Sequence, residues 1–159
     1  MDLEFQTMVE RYSASLYRLA YSYCGNRQDA EDVLQEVFLK FLRQRPDFSD
    51  EGACLAWLRT VTANQCRDLL RSAWRRRILP LEEAQNAAAP EQEPYPEVSA
   101  ALQTLPPRDR AIVYLFYYEQ LPTRDIAATL RMTDAAVRSR LTRARGKLKT
   151  ILGGDDHGS

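Results

Sequence analysis

The chain has 159 residues, with 22 Lys+Arg balanced by 22 Asp+Glu and a single histidine. No apolar run approaches the roughly 20 residues of a membrane-spanning helix, and the opening MDLEFQTMVERY has neither a basic start nor an apolar stretch, so a cytoplasmic protein is expected. Cys24, Cys54 and Cys66 lack CxxC spacing and have only His157 as a possible co-ligand, so the expectation is reduced, partly buried thiols, with no metal and no other cofactor.

From Phe5 to Tyr23, apolar and aromatic side chains recur at helical spacing: Phe5, Met8, Val9, Tyr12, Leu16, Leu19, Ala20 and Tyr23. Gly25 suits the left-handed residue that ends a helix. Asn26 suits the cap of the next one, with Asp29 in its first turn. This second helix runs to about Gln44 and is expected to bury Val33, Leu34, Val37, Phe38, Phe41 and Leu42. Away from that stripe lie Asp32, Gln35, Glu36 and Leu39, an acidic patch that reads either as a dock for a basic partner helix or as plain surface.

A loop, RPDFSDEG, leads to a third helix from about Ala53 to Arg76, with Leu55, Leu58, Val61, Leu69 and Leu70 as expected core contacts. Along it, WLRTVTANQCRDLLRSAWRRR interleaves Arg59, Arg67, Arg71 and Arg75–Arg77 with Trp57, Thr60, Asn64, Gln65 and Trp74. Such a mixture suits an opened nucleic-acid strand, whose bases stack on aromatics and expose their edges. Read otherwise, the tryptophans are core and the arginines only solvated.

The neutral total conceals a division of charge. Residues 1–77 carry 12 basic against 11 acidic side chains, residues 78–100 carry five glutamates and no basic residue, and residues 101–159 carry 10 basic against six acidic. The acidic stretch also gathers Pro80, Pro90, Pro94 and Pro96, which marks a tether. The expected fold class is therefore all-α, with helical domains at 1–77 and 98–152, a linker at 78–97 and a polar tail at 153–159.

In the second domain Pro107 opens a helix carrying Ile112, Val113, Leu115 and Phe116. LPTRD breaks and restarts the chain, with Thr123 as the expected cap of a short helix to Leu130, and Thr133 caps a longer basic one. A short helix, a tight turn and a basic helix outline a helix-turn-helix. On the last helix, at about 100° per residue, Val137, Leu141, Ala144, Leu148 and Ile151 form the core stripe. Arg138, Ser139, Thr142, Arg143 and Gly146 face outward, and Arg140, Arg145 and Lys147 flank them. Arginine forks grip guanine edges, while flanking cations neutralise phosphates. The bland alternative is a solvated face, but the capped helix and turn ahead of it favour DNA.

Together, LYRLAYSYCGNRQDAEDVLQEVFLKFLR, WLRTVTANQCRDLLR and LPPRDRAIVYLFYYEQLPTRDIAATLRMTDAAVRSRLTRARGKL resemble the minimal bacterial sigma factors of the extracytoplasmic-function (ECF) type. The resemblance implies two all-α domains, region two and region four, that bind core RNA polymerase and promoter DNA. By position, Asp29, Asp32, Gln35 and Glu36 fall in the helix that docks on the β′ clamp helices, with Phe38 assigned to the core. The loop holding Asp47, Phe48 and Ser49 matches the one that captures a flipped minus-ten base, and Asn64, Asp68 and Arg71 match the helix beside that melted DNA. Arg138, Ser139, Thr142 and Arg143 match the face on the minus-thirty-five element, with Arg140, Arg145 and Lys147 toward phosphates. The resemblance further implies a β flap contact, a tether running through the polymerase cleft, and an anti-sigma factor, often membrane-anchored. Leu55 stands where the family often has an aromatic residue, and Gln120 where it often has glycine.

The expected function is therefore promoter specificity, not an enzyme: no phosphate loop, nucleophile–base pair or small-molecule substrate motif is apparent in the sequence. The rivals are a stand-alone helix-turn-helix regulator and a sigma-like mimic that titrates an anti-sigma factor.

Overall fold

The structure, a computed structural model, describes residues 4–75 and 96–153. Most of the expected tether, the arginines at 76 and 77, the side chains of Trp74 and Arg75, and the tail from residue 154 with His157 lie outside the described residues. All regular structure among the described residues is helical, and the chain divides into two compact units between Ala89 and Pro90.

The first unit packs three helices pairwise: α1 (Phe5–Cys24), α2 (Arg27–Gln44) and α3 (Glu51–Arg75). Gly25 ends α1 at φ 85°, a left-handed conformation that costs glycine nothing, and its N–H reaches Tyr21 O at 2.8 Å. Asn26 then caps α2 reciprocally with Asp29. Its Oδ1 accepts the Asp29 N–H at 2.9 Å, and its Nδ2 donates to the Asp29 carboxylate at 2.8 Å. Asp50 caps α3 in a way the sequence reading missed, accepting the Ala53 N–H at 2.8 Å, so that helix starts at Glu51 and the loop before it is shorter than expected.

The core follows the expected stripe on α1, where Met8, Tyr12, Leu16, Leu19, Ala20 and Tyr23 are buried, while Phe5 and Val9 are half-buried. On α2 the buried line is Ala30, Val33, Val37 and Phe41; Leu34, Phe38 and Leu42 are only half-buried. The larger correction is on α3. Its fully inward line is Cys54, Leu58, Thr62, Ala63 and Cys66, whereas Leu55, Val61, Leu69 and Leu70 lie at the margin. Helix α1 brings Met8, Leu16, Leu19 and two tyrosines to the centre and α2 brings Val33, Val37 and Phe41, and apart from Leu58 the third helix approaches with small side chains. The Thr62 hydroxyl is tolerated there because it donates to Leu58 O at 2.7 Å.

All three cysteines are free and buried. A hydrogen bond with the Cys24 side chain, followed by burial, pushes the Cys66 thiol far above its ordinary value, and burial pushes up that of Cys54. Thiols held protonated in this way are poor nucleophiles.

The second unit contains α4 (Pro96–Gln103), α5 (Pro107–Val113), α6 (Thr123–Leu130) and α7 (Asp134–Gly153). Pro107 occupies the first turn of α5, where its missing N–H costs nothing. A π-helical turn, Tyr114–Tyr118, follows; it buries Leu115, leaves Phe116 half-buried and turns Tyr117 and Tyr118 outward. Thr123 is the first residue inside α6 rather than its cap. Pro122 precedes it, and no side chain caps that helix. Ile126, Ala127, Thr129 and Leu130 are buried, Arg131 ends the helix at φ 57°, and Thr133 caps the opening of α7 by accepting the Ala136 N–H at 3.0 Å. The core stripe of α7 holds for Val137, Leu141 and Ala144, weakens at half-buried Leu148 and fails at Ile151, which is 46% exposed.

Gln120 adopts φ 57°, a left-handed conformation that a side chain makes costly. Because Gln120 is exposed, Gln120→Gly should stabilise the second unit by about 1 kcal/mol, read as a higher thermal midpoint. An unchanged or lowered midpoint would show that the side chain makes a compensating contact.

Candidate nucleic-acid interface

Helix α7 presents its outward ridge with little obstruction. Ser139, Thr142, Arg143 and Gly146 are exposed, and the Thr142 hydroxyl donates back to Arg138 O at 2.9 Å. A Cβ placed on Gly146 would meet nothing within 4 Å, so nothing in the fold requires glycine there. Mid-helix glycine costs about 1 kcal/mol relative to alanine, and a low outer surface is what a helix entering a groove needs. Arg143 is exposed and makes no ion pair among the described residues, whereas Arg138 pairs along its own helix with Asp134 at 3.0 Å.

The flanking cations are not equivalent, a distinction invisible on a helical wheel. Arg140 Nη1 lies 2.8 Å from Asp109 Oδ1 on α5, and that carboxylate is only 13% exposed. Lys147 Nζ donates to Thr104 O at 2.9 Å, in the turn after α4. Both were expected to reach phosphate, and in the structure both are tied to their own domain. On the opposite edge, the Arg145 guanidinium stands over the Tyr117 ring at 5.9 Å, still exposed.

In the first unit, Asn64, Asp68 and Arg71 follow one another at helical spacing on α3. Asp68 and Arg71 are exposed, Asn64 is half-buried with an Oδ1 that finds no partner, and Arg67 sits 3.7 Å from the Asp68 carboxylate. Lys40 Nζ donates to Gln65 Oε1 at 3.1 Å, joining α2 to this helix. In the preceding loop, Asp47 and Ser49 are exposed, but Phe48 between them is buried. Its ring stacks on Phe41 at 6.5 Å and meets Trp57 edge-on at 6.0 Å. Where a base contact is expected of this loop, the Phe48 ring is turned into the core, while Asp47 and Ser49 on either side of it face outward.

The acidic face of α2 has the same mixed outcome. Asp32 and Gln35 are exposed beside Leu39, itself 43% exposed, and Glu31, Leu34, Gln35 and Phe38 line an open depression. Glu36 is 3.4 Å from Arg43 on the same helix. Asp29 is occupied by the cap with Asn26, so its first role is to start the helix that carries the face.

Comparison with known proteins identifies both units. The Sigma-70 region 2 model matches residues 8–76, and the Sigma-70 region 4 model matches residues 96–148. The ECF RNA polymerase sigma factor SigE of Mycolicibacterium smegmatis is 35% identical over 156 residues, spanning 91% of this chain and 60% of that protein. SigM of Mycobacterium tuberculosis, also an ECF RNA polymerase sigma factor, is 32% identical over 151 residues, spanning 94% of this chain and 77% of that protein. Among solved structures, the sigma factor RpoE, in complex with the anti-sigma factor NepR from Bartonella quintana, shares the fold with a TM-score of 0.75 at 22% identity, over 94% of this chain and 96% of that one. CnrH, in complex with the cytosolic domain of CnrY, matches with a TM-score of 0.65 at 29% identity, over 95% of this chain and 88% of that one.

Proposed function

Because the chain belongs to the ECF-type RNA polymerase sigma factors, we propose that it binds core RNA polymerase, directs it to specific promoters and helps to open them. Sigma factors are regulators rather than enzymes, and this one needs no catalytic residue. Energy gained by holding an extruded base offsets the few kcal/mol lost on unstacking it.

The observation that carries the reading is the clear outward ridge of α7, Ser139, Thr142, Arg143 and Gly146, held by a helix-turn-helix. Residues 98–152 would act as region four on the minus-thirty-five element and the β flap. Residues 1–77 would act as region two, with Asp47, Ser49, Asn64, Asp68 and Arg71 toward the opened minus-ten element. Asp32, Gln35 and Glu36 would meet the β′ clamp helices, and residues 78–97 would link the two regions. Two modest DNA contacts fixed on one polymerase reinforce each other through effective concentration. An anti-sigma factor is the further partner this reading implies, and the cytoplasm the compartment.

Run-off transcription with core polymerase tests the proposal, with a promoter-dependent product expected only when the chain is added. Absence of product on every cognate-type template would overturn it. A gel shift on promoter DNA should require core enzyme; tight binding without it would favour a stand-alone regulator.

A further inference from the structure

A recognition helix rich in arginine has a specificity problem. Every cation that reaches a phosphate adds affinity for any sequence, because backbone contacts carry no base information. Helix α7 has Arg138, Arg140, Arg143, Arg145, Lys147 and Lys149.

The fold disposes of part of this charge. Asp109, in the first turn of α5, takes Arg140 Nη1 at 2.8 Å, and two turns further along the same edge Lys147 is held on Thr104 O at 2.9 Å. A carboxylate offers a guanidinium the same forked geometry as a phosphate, so it competes with phosphate for the arginine. The pair is well sheltered, with 32% of the arginine side chain and 13% of the aspartate exposed, and so is less screened than a surface pair.

We infer that Asp109 is a specificity-determining positioning residue: it withholds Arg140 from the DNA backbone and, together with the Lys147–Thr104 contact, fixes the rotation of α7 about its axis. This rests on the reading of α7 as the DNA-facing helix. Rotating a helix by about 20° moves a side chain at its outer radius of roughly 6 Å by about 2 Å, enough to break a two-bonded base contact. Asp109 thus suppresses sequence-independent affinity and aims Ser139, Thr142 and Arg143, without touching DNA itself.

The test uses the full chain in complex with core RNA polymerase. Affinity is measured against salt on duplex promoter fragments with an intact or a scrambled upstream element. Asp109→Asn should free Arg140 for a phosphate and steepen the log–log salt dependence by about one. Binding to the scrambled fragment should strengthen, and the ratio between the two fragments should fall severalfold. Adding Arg140→Gln to Asp109→Asn should restore the wild-type slope, a rescue that a merely structural role for Asp109 would not produce. An unchanged slope in Asp109→Asn overturns the inference. Should that variant fold poorly, Arg140→Gln alone decides: it should leave the slope as in wild type, and a drop of about one would overturn the inference by showing that Arg140 already holds a phosphate. If the wild-type complex does not distinguish the two fragments, the reading of α7 itself fails, and this inference with it.

Discussion

Arg143→Ala is expected to weaken discrimination of the upstream promoter element by about one to two orders of magnitude, while core polymerase binding stays intact. Arg143 is exposed on the outward ridge of α7, has no ion pair among the described residues to break, and stands beside Ser139, Thr142 and the open surface at Gly146. A guanidinium bonded twice to a base edge contributes about 1–3 kcal/mol of discrimination, which sets the expected range. Arg143→Lys sharpens the test, because lysine keeps the charge but loses the fork. It should retain the salt dependence and lose the base preference. The measurement is competition between intact and altered upstream elements, run beside a polymerase-binding assay. Equal loss in both assays would mean that Arg143 supports the fold or the polymerase contact rather than reading bases.

Phe48→Ala should destabilise the first unit by about 3–5 kcal/mol, the cost of removing a buried aromatic side chain. Phe48 is 9% exposed and lies against both Phe41 and Trp57, so its loss opens a cavity where the loop joins the core. Against a total domain stability of about 5–15 kcal/mol, that loss is severe. Ser49→Ala should leave the thermal midpoint nearly unchanged and lower promoter opening, since that side chain is exposed. Thermal unfolding together with permanganate footprinting of the opened strand separates the two behaviours. A stable Phe48→Ala protein that fails to open promoters would return Phe48 to the DNA interface.

The helices were legible because each leaves a local signature. The four-and-three spacing of Met8, Tyr12, Leu16 and Leu19, the Asn26/Asp29 cap, Pro107 in a first turn and Thr133 ahead of the basic helix are decided within a few residues of chain. Where the periodic signal is mixed, the inward side of a helix is not legible from its own residues. Helix α3 has leucines on several sides, and the side that faces inward is chosen by the bulk of α1 and α2 rather than by its own apolarity. The cap at Asp50 was missed because it stood inside a stretch read as loop through Gly52.

The candidate surfaces were legible as residue types at a spacing, and less so as roles. Asn64, Asp68 and Arg71 can be placed on one face by counting, as can Ser139, Thr142 and Arg143. Counting gives the direction in which a side chain leaves its own helix, but not what another helix brings to meet it. Arg140 and Lys147 look like free cations until Asp109 and Thr104, 31 and 43 residues earlier, are folded against them. Phe48 looks like a loop aromatic available to a base until Phe41 and Trp57 close around it.

The sequence by itself therefore determined the helical class, the division into two units around an acidic, proline-rich stretch, and the outward ridge of the basic helix. These follow from periodicity, capping and charge, which act over a turn or two of chain. Only the tertiary structure decided which of the basic side chains on α7 are held by their own unit and that the aromatic ring in the loop of the first unit is buried. An ion pair or a ring stack joins residues far apart in the chain, and its existence depends on how the helices are packed.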